Sequence, residues 1–133
     1  MTLQELNRYF ELLGRLAQTN ELLENLRAAA YPSSPALTGM PHATGVKDKI
    51  GDLAVEIADM EARQKYIEAE IAVQKEKVEK FVSEIEDNFL RVIFRLRFER
   101  GLSWRKVAHI VQGGNTEETV RAACYRYLRK LSH

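Results

Sequence analysis

A chain of 133 residues that is 45% hydrophobic and 29% charged suits one modest core, or one small domain with an extended arm, and is not a disordered tail. Its net charge of +1 hides a split: residues 1–87 hold 10 Lys/Arg against 16 Asp/Glu, a net −6, whereas residues 88–133 hold 10 against 3, a net +7. Cys124 is the single cysteine and excludes an internal disulfide framework, no apolar run approaches the roughly 20 residues of a membrane span, and the N-terminus lacks a basic-then-apolar leader; a cytoplasmic protein with no membrane partner is expected.

The first element is a helix from Leu3 to about Ala30, because Leu3, Leu6, Phe10, Leu13, Leu16, Leu23 and Leu26 recur mostly at three- and four-residue steps. The stretch YPSSPALTGMPHATGVKDKIGD follows; it holds all three prolines and three of the seven glycines, and reads as a linker over about residues 31–49. From Ile50 a seven-residue repeat runs for about six heptads. Its a positions are Ile50, Ile57, Gln64, Ile71, Val78, Ile85 and Val92, and its d positions Leu53, Met60, Ile67, Gln74, Phe81 and Asn88. A helix over 50–86 would be about 55 Å long and cannot bury its stripe alone. The first helix, folded back, is one partner; a second copy of the chain is the other, which makes a homo-oligomer through the N-terminal helices an expectation.

The last third holds shorter elements. Phe89, Val92, Ile93 and Leu96 form one helical face that ends near Gly101. Ser103 is a good N-cap for a second helix, whose Trp104, Val107, Ala108 and Val111 share a face. QGGN breaks that helix, and Thr116 caps a third running to about Leu131. The fold expected is all-α: a long N-terminal helical hairpin or coiled-coil arm over 1–87, then a three-helix helix-turn-helix domain over 88–133.

The final helix carries two faces. Val120, Cys124, Tyr127, Leu128 and Leu131 make the side expected to be buried, where Cys124 acts as a small hydrophobe. Opposite them lie Glu118, Arg121, Ala122, Tyr125 and Arg129. Small Ala122 admits close approach to a base edge, Arg121 can bond guanine bidentately, and Glu118 can accept from a cytosine amino group. Arg126, Arg129 and Lys130 would sit nearer phosphates, and Thr116, Arg105 and Lys106 complete the expected DNA-facing set. The acidic start and basic end of this helix also complement its dipole, but the dipole does not account for the Arg121–Tyr125 stripe, nor for Arg91, Arg95, Arg97 and Arg100 upstream.

TEETVRAACYRYLRKL resembles the recognition helix of region four of bacterial sigma factors through Thr116, Glu118, Val120, Arg121, Leu128, Arg129, Lys130 and Leu131. RVIFRLRFERGLSWRKVA is similar to the helices that precede it there, and the match covers about 45 residues. No other sigma region is legible in residues 1–87. The whole chain looks more like small phage or prophage regulators of late transcription of the ArpU and RinA type. The resemblance implies sequence-specific binding of double-stranded DNA by Glu118 and Arg121, and RNA polymerase as a further partner.

Catalysis is not expected. His42, His109 and His133 fall in the linker, on an exposed helix side and at the terminus, with no metal-site spacing. QGGN lacks the strand and lysine of a P-loop, so no cofactor is expected. Two alternatives stand beside the regulator: the DNA-recognition subunit of a phage packaging machine, and a coiled-coil assembly protein whose basic end docks on a protein partner.

Overall fold

The structure, a computed structural model, describes the backbone of residues 1–31 and 44–132 and the side chains of residues 1–31 and 51–132. It is all-α: among the described residues there are helices and turns and no strand. Helix α1 spans Leu3–Ala30, α2 Thr44–Ser83, α3 Asn88–Phe94, α4 Trp104–Val111 and α5 Glu117–Leu131. No helix of the described residues is long and apolar enough to cross a membrane.

Local chemistry sets most of the ends. The Thr2 hydroxyl accepts the Glu5 N–H at 3.2 Å while Glu5 Oε1 accepts the Thr2 N–H at 3.4 Å, a reciprocal cap that starts α1. Residues 32–43 of the expected linker lie outside the described residues. From Thr44 the backbone is already helical, so α2 begins earlier than the Ile50 expected. No proline follows Pro41, and Gly45 and Gly51 each cost a helix only about 1 kcal/mol. The other end of α2 comes sooner than the heptads imply. Ser83 Oγ donates to the Lys80 carbonyl, and Asp87 accepts the Leu90 N–H at 2.9 Å, which starts α3 instead. Arg91 fastens this corner by donating to the Ile85 carbonyl at 2.8 Å and to Asn88 Oδ1.

Packing divides the chain into two compact units, residues 15–69 and residues 1–14 with 70–133. In the first, α1 and α2 run antiparallel. Leu23, Ala30 and Ile57 are buried together, with Leu26, Leu53 and Met60 packed around them. Gln64, a polar break in the heptads, donates to Asn20 Oδ1 at 2.7 Å, so the break is matched across the seam.

The second unit gathers Leu6, Tyr9 and Leu12 of α1, Ile71, Val78, Val82 and Ile85 from α2 and the residues just beyond it, and the buried faces of α3, α4 and α5. An aromatic chain runs through it. Phe94 meets Phe81, Phe98 and Tyr127 with ring centroids 5.7–5.9 Å apart, and Phe98 meets Trp104 at 6.1 Å. This corrects part of the face read for α3: Ile93 is buried as expected, but Phe94 and Phe98 are buried with it, whereas Phe89 and Val92 are exposed. The cause is the ring packing: contacts with Phe81, Phe98 and Tyr127 fix Phe94 inward, and α3 then runs into a π-helical turn over Arg95–Glu99. Leu131, expected on the buried face of α5, is 51% exposed, because the last turn runs past the core formed by Val120, Cys124 and Leu128.

Candidate nucleic-acid interface

Helices α4 and α5 pack on each other across the short connection 112–116. Gln112, Gly113 and Gly114 have φ of 50°, 66° and 78°, three successive residues in a region that disfavours side chains and that the two glycines relieve. Asn115 closes the turn, its Nδ2 donating to the Gln112 carbonyl at 2.7 Å. Thr116 caps α5 as expected: its hydroxyl accepts the Thr119 N–H at 3.3 Å, and the Thr119 hydroxyl accepts the Thr116 N–H at 2.8 Å. Ser103 caps α4 by accepting the Lys106 N–H at 3.2 Å.

The starts of α4 and α5 border one groove of about 790 Å³, lined by Arg105, Lys106 and His109 on one wall and by Asn115, Thr116 and Glu117 on the other. Three of the sequence-predicted residues, Arg105, Lys106 and Thr116, are brought together there. On α5 itself Glu118, Ala122, Arg126, Arg129 and Lys130 are exposed, while Arg121 and Tyr125 are half-buried. The Tyr125 ring stands edge-on to Trp104 with centroids 6.3 Å apart. Arg126 and Lys130 border a shallow groove of about 280 Å³ with Asp87 and Phe89. Tyr125 and Arg129 line another of about 690 Å³ with Met1, Leu3 and Glu5 from the start of α1. Seven of the ten predicted residues are therefore divided among three grooves, whereas Glu118, Arg121 and Ala122 line none of them.

Three of the upstream basic residues are engaged by other groups of the protein, Arg95 among them while still exposed. Arg91 holds the corner before α3, and Arg95 pairs with Glu99 at 3.4 Å. The Arg97 guanidinium lies 3.6 Å from the Phe10 ring centroid and 4.5 Å from that of Trp104, and it donates to the Leu102 carbonyl at 3.2 Å. Burial depresses its basicity, opposed by nearby Tyr125 and Cys124, and Arg121 adds to the depression. Arg100, Arg105 and Lys106 remain exposed. Sequence reasoning grouped all six by charge; nothing local to Arg97 signals that Phe10, far away in the chain, stacks on it. Burial pushes the Cys124 thiol up to about 12, so it stays a neutral packing group.

No family model matches the chain, and no curated protein and no solved structure is significantly similar to it.

Proposed function

We propose that α4, the turn 112–116 and α5 act as a helix-turn-helix that binds duplex DNA, with α5 entering the major groove, and that the protein is a sequence-specific transcriptional regulator of the phage type. The observation that carries this reading is the groove shared by the starts of α4 and α5. It sets Arg105 and Lys106 opposite Thr116 and Glu117 at the start of α5, and further along that helix Glu118, Ala122 and Arg126 are exposed. The cations supply sequence-independent attraction to phosphates, and the small residue lets the helix backbone approach base edges. Half-buried Arg121 and Tyr125 lie beside the face, and Tyr125 is held edge-on to Trp104, which suits reading more than it suits loose electrostatic contact. The net +7 of residues 88–133 supports the same reading, as does the sigma region-four likeness, from which RNA polymerase follows as a second partner.

The test is selection of duplexes bound by the full chain from a random pool, followed by titration of the enriched site against random DNA. Enrichment of one site bound about 10³-fold or more tightly supports the regulator. Equal binding of all duplexes would instead describe a sequence-neutral DNA clamp, and no binding at low salt would overturn the DNA reading.

A further inference from the structure

His109 belongs to no motif of the sequence, where it is a lone histidine on an exposed helix side. The fold gives it a place. Trp104, Val107 and Ala108 are the buried side of α4. Arg105, Lys106 and His109 are exposed, and steps of four and three residues set His109 one turn on from both cations, on the same face. All three line the groove of about 790 Å³ that α4 shares with the start of α5.

The facing wall offers an anion little. Asn115 is taken up in the turn, donating to the Gln112 carbonyl at 2.7 Å and accepting from the Thr119 hydroxyl at 3.4 Å, and Thr116 is taken up in the cap. Glu117 is the charged group on that wall, and a carboxylate repels a phosphate. The π-helical turn packs against α4 through the Phe98–Trp104 contact, and its charged residues Arg95, Arg97 and Glu99 do not line the groove. The charged groups facing the imidazole are therefore Arg105 and Lys106 from its own helix and Glu117 from α5. A phosphate entering the groove meets two permanent cations and a third that exists only when the imidazole holds its second proton, which histidine side chains gain between about pH 8 and pH 5.

We infer that His109 is a further DNA contact: protonated, it donates to the backbone phosphate that Arg105 and Lys106 attract, so that duplex binding takes up a proton and tightens as pH falls. The inference rests on the DNA reading proposed above and adds to it one residue and a dependence on pH. Because a phosphate favours the charged imidazole, the gain in affinity is complete at the acidic end of the histidine range and lost at its alkaline end.

Titration of random duplex with the full chain at about pH 5.5 and about pH 8, each over a range of salt, tests it. Wild-type affinity should be roughly five- to tenfold higher at the lower pH, with a salt slope steeper by about one ion. His109→Ala should bind alike at both, and His109→Lys should keep at the higher pH the affinity that the wild type reaches only at the lower. The effect should survive Glu117→Gln, and its disappearance there would make the carboxylate, not DNA, the partner of the imidazole and overturn the inference. The factor lost in His109→Ala should be the same on the selected site and on random duplex, as for any phosphate contact, and a loss confined to the selected site would overturn the phosphate assignment. Since His109 is exposed, thermal melting of its variants should match the wild type, and His42 and His133, common to all of them, cancel in the comparison. Parallel pH profiles for the wild type and His109→Ala would overturn the inference and leave DNA binding standing, whereas no binding of any duplex at either pH would overturn the DNA reading and the inference with it.

Discussion

Arg97 sits where a cation gains little from water. Its guanidinium is stacked between Phe10 and Trp104, and its Nε is buried without a hydrogen-bond partner. Stacking on two rings depends on the flat guanidinium, which lysine lacks, and is worth about 2 kcal/mol where the cation is desolvated. Arg97→Ala should therefore lower unfolding stability by about 2 kcal/mol, and Arg97→Lys should recover less than half of that in denaturant titrations; full recovery by lysine would show that charge alone matters. Cys124 gives a second residue-scale expectation. Its thiol is held neutral in the fold up to about pH 12 against an ordinary 9.0, so above pH 9 the unfolded chain sheds a proton that the native one keeps. The stabilisation is complete below pH 9 and is lost as pH rises, by at most about 1.4 kcal/mol per pH unit. Tyr9, raised by burial and then by Glu79 and Glu99, adds to the decline in the same direction. Unfolding free energies from pH 8 to 11 should fall more steeply in the wild type than in Cys124→Ala, and parallel curves would refute the assignment.

At the scale of elements, the caps decide where helices start, and caps are local. The caps at Ser103 and Thr116 were legible because a hydroxyl and the third following N–H settle the matter within one turn, and α1 was legible from its leucine spacing and the prolines after it. Thr116→Ala should cost about 1 kcal/mol in thermal unfolding and Thr116→Ser much less, whereas equal losses would point to a role for the methyl group. Gly101 ends the π-helical turn at φ of 72°, with space for a Cβ 3.5 Å from Leu13. Gly101→Ala should cost about 1–2 kcal/mol from backbone strain rather than from collision, which differential scanning calorimetry can measure. The buried face of α3 was legible only at Ile93. Period counting places Phe89 and Val92 inward, whereas Phe94 is turned to the core by rings from other elements, Phe81 and Tyr127, which no local spacing reports. The exposure of Glu118, Ala122 and Arg129 on α5 was legible from its period, but the half-burial of Arg121 and Tyr125 was not; Trp104, which meets Tyr125, belongs to another helix.

For the whole molecule, the core beneath the candidate interface draws on residues that the charge split assigns elsewhere. Leu6, Tyr9 and Leu12, together with Val78, Val82 and Ile85, belong to the same compact unit as Phe94, Trp104, Val120 and Leu128. A fragment of residues 88–133 would expose the faces these residues cover, so its helicity should be low and its unfolding non-cooperative by circular dichroism, while the full chain melts sharply. Such contacts leave no trace in local sequence, since Phe10 and Arg97 meet only once the chain has folded back. The central claim, that α5 reads base pairs and is not merely attracted to DNA, is tested most directly by titrating the full chain and its Arg121→Ala variant against the selected site and against random duplex. The expected result is a loss of roughly 1–3 kcal/mol on the selected site and much less on random DNA. A loss by the same factor on both would contradict it.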